Sequence, residues 1–179
     1  RYAAFALACL LAAPCFAALK PGTRAPLFKA PAFLAGKAFT FDLAAALKKG
    51  PVVVYFFPAA FTPGCNVEAA TFSQAIGKFQ AQGASVIGVT AGNTERLAEF
   101  SQDTEKCAGK FPVAADAGAK IAKSFDATMT LKPDLASRTS YVIAQDGSIA
   151  FVHDAMSPNL HVKETLAAVT ALKAKAQHH

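Results

Sequence analysis

The stretch PVVVYFFPAAFTPGCNVEAATFSQAIGKF, residues 51–79, changes its hydrophobic period halfway along. From Pro51 to Phe57 it is an unbroken apolar run between Gly50 and Pro58, the pattern of a strand buried on both faces at the centre of a sheet. After the loop Pro58–Gly64, Ala69, Phe72, Ile76 and Phe79 recur at three and four residues. That spacing predicts a helix with Cys65 in its first turn and a stop at Gln82-Gly83. A buried strand feeding a helix puts the chemistry of the connecting loop at the helix N-terminus, where unpaired amides and the positive dipole end favour an anion.

The rest of the chain extends this unit. Ser85–Val89 predicts a second, parallel strand, and Asn93 a cap for a helix carrying Leu97 and Phe100 that ends near Cys107 to Gly109. Phe111–Ala115 reads as a short strand, followed by Asp116 capping a helix with Ile121, Ala122 and Phe125 on one face. Ser140–Ala144 and Ser148–His153 flank Asp146-Gly147, a hairpin turn signal because Gly takes positive φ readily. Ser157-Pro158 supplies a cap and first-turn Pro for a last helix with Val162, Leu166, Val169 and Leu172. The order βαβα then ββα predicts an α/β chain with a thioredoxin-like fold, a central mixed sheet flanked by helices.

A length of 179 residues with 53% hydrophobic and 17% charged residues fits one compact domain and excludes repeat arrays and disordered tails. Eighteen Lys and Arg against twelve Asp and Glu give +6, but the basic residues are scattered and no finger, basic helix or aromatic platform accompanies them. No nucleic-acid partner is expected. Between Arg1 and the polar KPGTRAP there is a charge-free apolar stretch ending in Cys15-Phe16-Ala17 before Ala18. It is short of the ~20 residues needed to span a bilayer and contains Pro14. This predicts a cleaved signal peptide over residues 1–17, a domain over 18–179, export to a periplasm, and no stable membrane insertion of the mature chain. Cleavage removes Cys9 and Cys15 and leaves Cys65 and Cys107, an even pair and a candidate disulfide in an oxidising compartment. His178-His179 reads as a tag remnant.

Cys65 is the candidate nucleophile of the loop-to-helix junction. Thr62, three residues earlier, can turn its hydroxyl toward the same point, and Arg138, ahead of a predicted strand, supplies a permanent positive charge for the sulfur and for a substrate oxygen. Glu68, one turn beyond Cys65, either orients that Arg or favours the helix N-terminus.

Taken together, Pro58, Thr62, Cys65 and Arg138 resemble the peroxiredoxin fingerprint, Pro-x-x-x-Thr-x-x-Cys at a helix start with a distant Arg. The segment FFPAAFTPGCNVEAATF is most similar to the bacterioferritin-comigratory-protein or peroxiredoxin Q branch, and the resemblance runs from about Pro21 to Ala174. It implies an antioxidant thiol peroxidase that reduces hydrogen peroxide and organic hydroperoxides. Cys65 attacks as a thiolate and becomes a sulfenic acid; no metal or organic cofactor is needed. A thioredoxin-like or glutaredoxin-like dithiol protein returns the electrons, and the assembly is a monomer or weak homodimer. Many members of the branch place a second Cys five residues after the first, where this chain has Ala70. Others resemble this chain in placing it on the next helix, which implies Cys107 as the resolving thiol of an intrachain disulfide. Two rival readings are an exported thiol–disulfide oxidoreductase and a copper-carrying module. The first normally needs Cys-x-x-Cys, and the second a His beside paired Cys, whereas His153 and His161 have no partner motif.

Overall fold

The computed structural model describes residues 18–178. Seven strands form one mixed sheet: β1 (Lys29–Leu34), β2 (Lys37–Asp42), β3 (Val52–Phe56), β4 (Ser85–Thr90), β5 (Val113–Ala115), β6 (Thr139–Ile143) and β7 (Ile149–Asp154). Their order across the sheet is β2-β1-β5-β4-β3-β6-β7. β3 runs parallel to β4 and antiparallel to β6, so the sheet changes sense at a fully buried strand. The helices are α1 (Leu43–Leu47), α2 (Pro63–Ala81), α3 (Leu97–Gln102), α4 (Lys120–Ser124) and α5 (His161–Ala176).

Every residue of β3 is buried, as its unbroken apolar run requires. Period two divides its side chains between two cores. Val52, Val54 and Phe56 meet Leu43 and Leu47 of α1, Ala122 of α4, Phe125 and Tyr141. Val53, Tyr55 and Phe57 meet Phe72 and Phe79 of α2, Leu97 and Phe100 of α3, and Val162 and Val169 of α5. Tyr55 lies in an aromatic stack on this second face, with Phe72 at 4.4 Å and Phe57 at 5.3 Å between ring centroids, and with Phe111 edge-on. Both Cys65 and Cys107 belong to this face.

The thioredoxin-like architecture matches the expectation, as do β3, the 3–4 spaced face of α2 and the hairpin, whose Gly147 has φ +90°. Four local expectations are corrected. The chain forms an antiparallel hairpin, β1 with β2, before β3, adding two strands at the sheet edge. The helix after β4 ends at Gln102, not near Cys107, because Asp103 turns its carboxylate onto the Glu105 amide at 2.9 Å and diverts the backbone into a turn. Asn93 does not cap that helix: it sits at φ +55° and sends its side chain to the Ala60 carbonyl instead. The last helix starts at His161, since Ser157 spends its hydroxyl on the Asn159 amide. Asp116 caps as expected but farther along, its two carboxylate oxygens accepting from the Ile121 and Ala122 amides.

Candidate active site

The loop from Pro58 to Thr62 leaves the carboxyl end of β3, where the flanking strands part in opposite senses, the usual place for a ligand in an open α/β sheet. It is pinned to the segment after β4. Thr90 Oγ1 donates to the Pro58 carbonyl at 3.1 Å, the Ala60 amide donates to Gly92 O at 3.2 Å, and Asn93 Nδ2 donates to Ala60 O at 2.8 Å. A Cβ on Gly92 would stand 2.4 Å from the Pro58 carbonyl oxygen, so only glycine lets the two segments meet. Phe61 takes φ +61° and is held by the Phe100 ring, 5.2 Å away edge-on, and by the Arg96 guanidinium 3.8 Å over its face.

Thr62 is the N-cap of α2, with Pro63 at the first helical position. Its side chain does not close the cap; Thr62 Oγ1 donates to the Ala59 carbonyl at 2.9 Å. The amides of Gly64 and Cys65, in the first turn, therefore have neither an intrahelical acceptor nor a Thr62 side-chain cap. Cys65 is 1% exposed. Arg138, just before β6, reaches its sulfur from Nη2 at 3.5 Å. The same guanidinium donates from Nη1 to Glu68 Oε2 at 2.5 Å and from Nε to the Met156 carbonyl at 2.8 Å, so all three arms of the fork are anchored. Burial opposes the charge on Arg138, but Glu68 and Cys65 outweigh it and raise its pKa. Burial pushes the Glu68 carboxyl up to about 7 against the lowering pull of Arg138.

Pro58, Thr62, Cys65, Glu68 and Arg138 thus converge at one end of α2, while Cys107 does not join them. It sits fully buried in the turn between α3 and β5, and both thiols are free. Burial first and Asp103 second push the Cys107 thiol well above the ordinary range. Tyr55 stands in the electrostatic reach of both cysteines, Glu68 and Arg138.

Several residues take supporting roles that the sequence did not announce. Gly64 is one: a Cβ there would come within 2.9 Å of Arg138 Nη2, so the guanidinium lies directly on the helix start. Gly92 and Asn93 are others, and only the pairing of β3 with β4 reveals them. His161, which has no partner motif in the sequence, is fully buried behind Glu68.

The AhpC/TSA family model matches residues 21–152. Peroxiredoxin Q, chloroplastic, of Sedum lineare is 34% identical over 127 residues, covering 70% of this chain and 67% of that one. A protein named as a peroxiredoxin, MT1643 of Mycobacterium tuberculosis, is 30% identical over 134 residues, 73% of this chain and 85% of that one. The chain spans only 57% of the corresponding Oryza sativa subsp. japonica protein. Among solved structures, peroxidoxin BcpB of Mycobacterium tuberculosis superposes with a TM-score of 0.75 at 28% identity over 86% of this chain and 98% of that one. These relatives overturn the expectation of a periplasmic protein, since they are chloroplastic and mycobacterial. An apolar run ending in small residues carries no compartment label in its side chains, and the expected signal peptide, residues 1–17, lies outside the described part of the chain. Matched by the family model over most of its length, and sharing its site-bearing core with these proteins, the chain belongs to the AhpC/TSA family as a peroxiredoxin of the peroxiredoxin Q and bacterioferritin-comigratory type.

Proposed function

We propose that this peroxiredoxin performs thiol-dependent peroxide reduction through Cys65, supported above all by Arg138 Nη2 standing 3.5 Å from the Cys65 sulfur at the open end of α2. The thiolate attacks the nearer peroxide oxygen in line with the O–O bond. An S–O bond forms, the O–O bond breaks, and the far oxygen leaves with the electron pair as water or alcohol once protonated. Cys65 becomes a sulfenic acid.

Arg138 and the first-turn amides donate to the oxygens on which charge develops. Thr62, whose own hydrogen goes to Ala59, is left to accept from the peroxide O–H. Pro58 shapes the loop with its carbonyl tied to Thr90, and Glu68 orients Arg138. Cys107 then attacks the sulfenic sulfur, expelling water and forming an intrachain disulfide, which a thioredoxin-like or glutaredoxin-like dithiol protein reduces. The bridge needs Cα atoms within about 7 Å. In its closed turn the Cys107 thiol is held protonated by burial, so its attack follows opening of that turn.

Peroxide consumption with a dithiol donor, followed by non-reducing mass spectrometry, tests the scheme. Cys65→Ser is expected to consume no peroxide. The wild type should yield a linked Cys65–Cys107 peptide, and Cys107→Ser should accumulate sulfenic acid on Cys65. Undiminished turnover in Cys65→Ser would remove the nucleophile assignment; a linkage found only between two chains would remove the intrachain step.

A further inference from the structure

Behind Arg138 lies a second layer of buried polar groups that the peroxide reaction as written does not use. Glu68 has two carboxylate oxygens, and only Oε2 is bonded, to Arg138. Oε1 is buried without a hydrogen-bond partner and faces His161 Nδ1 at 3.6 Å. The imidazole is itself fixed at both ends. Nε2 lies 2.8 Å from the Ala155 carbonyl, which can only accept, so Nε2 carries the ring hydrogen. Nδ1 is then a lone pair, 2.8 Å from Ser140 Oγ, whose hydroxyl donates to it. With Glu68 ionised, the carboxylate oxygen Oε1 stands 3.6 Å from a ring edge that has no hydrogen to offer it. A proton on Oε1 removes that repulsion.

We propose that His161 is a positioning residue of the peroxide reaction, holding with Glu68 a single buried proton whose presence frees the charge of Arg138 for the Cys65 sulfur. The inference rests on the reading of Cys65 as the reacting thiolate. Charge balance supplies its logic. Arg138 carries one positive charge, while the Cys65 thiolate and an ionised Glu68 together carry two negative ones. A buried net negative charge is costly, so thiolate and carboxylate compete for one guanidinium. The nucleophilic state is therefore the one in which the sulfur has given up its proton and the Glu68–His161 pair has kept one.

The remaining titratable neighbours leave this position alone. Tyr55 of β3 and the Cys107 thiol are both held protonated by burial. His153 of β7 stacks edge-on against the His161 ring at 4.5 Å and disfavours a charge on it. Burial pushes His161 down to about 4 and Glu68 up to about 7, which puts the added proton on the carboxyl and leaves the imidazole neutral.

The test is the pH dependence of Cys65 alkylation by iodoacetamide, located by mass spectrometry, alongside single-turnover oxidation by hydrogen peroxide. Glu68→Gln keeps an acceptor for Arg138 while staying neutral, so thiolate should form at lower pH than in the wild type, by about one unit or more. His161→Gln offers an N–H to Oε1, holds Glu68 ionised, and should move the midpoint up by a similar amount, roughly a tenfold loss of rate below it. In Glu68→Gln/His161→Gln the upward shift should vanish. An unmoved midpoint in Glu68→Gln, or the same His161→Gln shift with and without Glu68, would overturn the proposal. Alkylation reads the thiolate without peroxide, so a wild type that titrates as described but fails to form sulfenic acid would count against the peroxidase reading alone.

Discussion

Cys65 and Cys107 are buried to almost the same degree, 1% and 0% exposed, in the same hydrophobic face of the sheet, yet their surroundings give them opposite chemistry. Cys65 meets a helix N-terminus and a guanidinium fixed by three hydrogen bonds. Cys107 meets apolar side chains and, beyond them, the Asp103 carboxylate, which adds to the effect of burial in holding its proton. Burial alone therefore does not determine what a thiol does. In the proposed scheme, the charge placed beside it separates a thiol that attacks in the folded protein from one that opening must release.

The sharpest way to break the contrast is to take away the guanidinium. Arg138→Met keeps much of the bulk and removes both the donor and the charge, making the surroundings of Cys65 resemble those of Cys107. Single-turnover oxidation of Cys65 by peroxide should fall by about 10²–10³, the usual cost of losing a preorganised donor to a developing oxyanion. Oxidation at the wild-type rate in a folded Arg138→Met protein would mean that the helix start alone activates the sulfur.

A second experiment asks what the charged surroundings of Cys65 do to the whole fold. Glu68 is raised from 4.5 to about 7, so the stability carried by its neutral form is complete below pH 4.5 and lost as pH rises through 7. His161 is lowered from 6.5 to about 4, so its contribution is complete above pH 6.5 and lost as pH falls through 4. Between pH 4.5 and 6.5 the two slopes oppose each other, and the pair should leave wild-type stability nearly flat. Glu68→Gln removes one slope. The unfolding free energy from denaturant titration should then climb with pH across that window, by on the order of 3 kcal/mol. Parallel profiles for wild type and Glu68→Gln would show that the two groups do not titrate as an opposed pair.

The smallest effect belongs to the quiet thiol. Cys107→Ala and Cys107→Ser should both lose recycling by a dithiol protein. Only Ser also places a hydroxyl among apolar neighbours, and it should be less stable than Ala by about 1–2 kcal/mol in chemical denaturation. Equal stability would mean that the Cys107 turn already admits water.

How much of this contrast could be read from the chain alone follows from the range of the forces involved. β3 and α2 were legible because an unbroken apolar run and a 3–4 spacing are local records of burial. The set Pro58, Thr62, Cys65 and Arg138 was legible as a pattern of residue types. The hairpin β1–β2 was not, since Pro31 and the Ala-rich run around it blur the alternation that marks a strand. The turn at Cys107 was misread as a helix end, because the decisive event is one hydrogen bond from the Glu105 amide to the Asp103 side chain. Nor did anything near His161 in the chain announce Glu68. They meet only because α5 packs against α2 across the sheet face, and that is a property of the fold.

The aromatic stack on that face has a consequence for observation. The chain has no Trp, and Tyr55 and Tyr141 are the tyrosines among the described residues. Tyr141 lies on the opposite face, its hydroxyl donating to the Phe125 carbonyl at 2.5 Å. Tyr55, pressed between Phe72 and Phe57, has its hydroxyl unpartnered and within the field of both thiols, Glu68 and Arg138. On the proposed scheme, charge leaving Cys65 and the departure of Cys107 from its turn would both alter the field at Tyr55 and leave Tyr141, on the opposite face, unaffected, so a change in tyrosine emission on adding peroxide would report the cycle without a label.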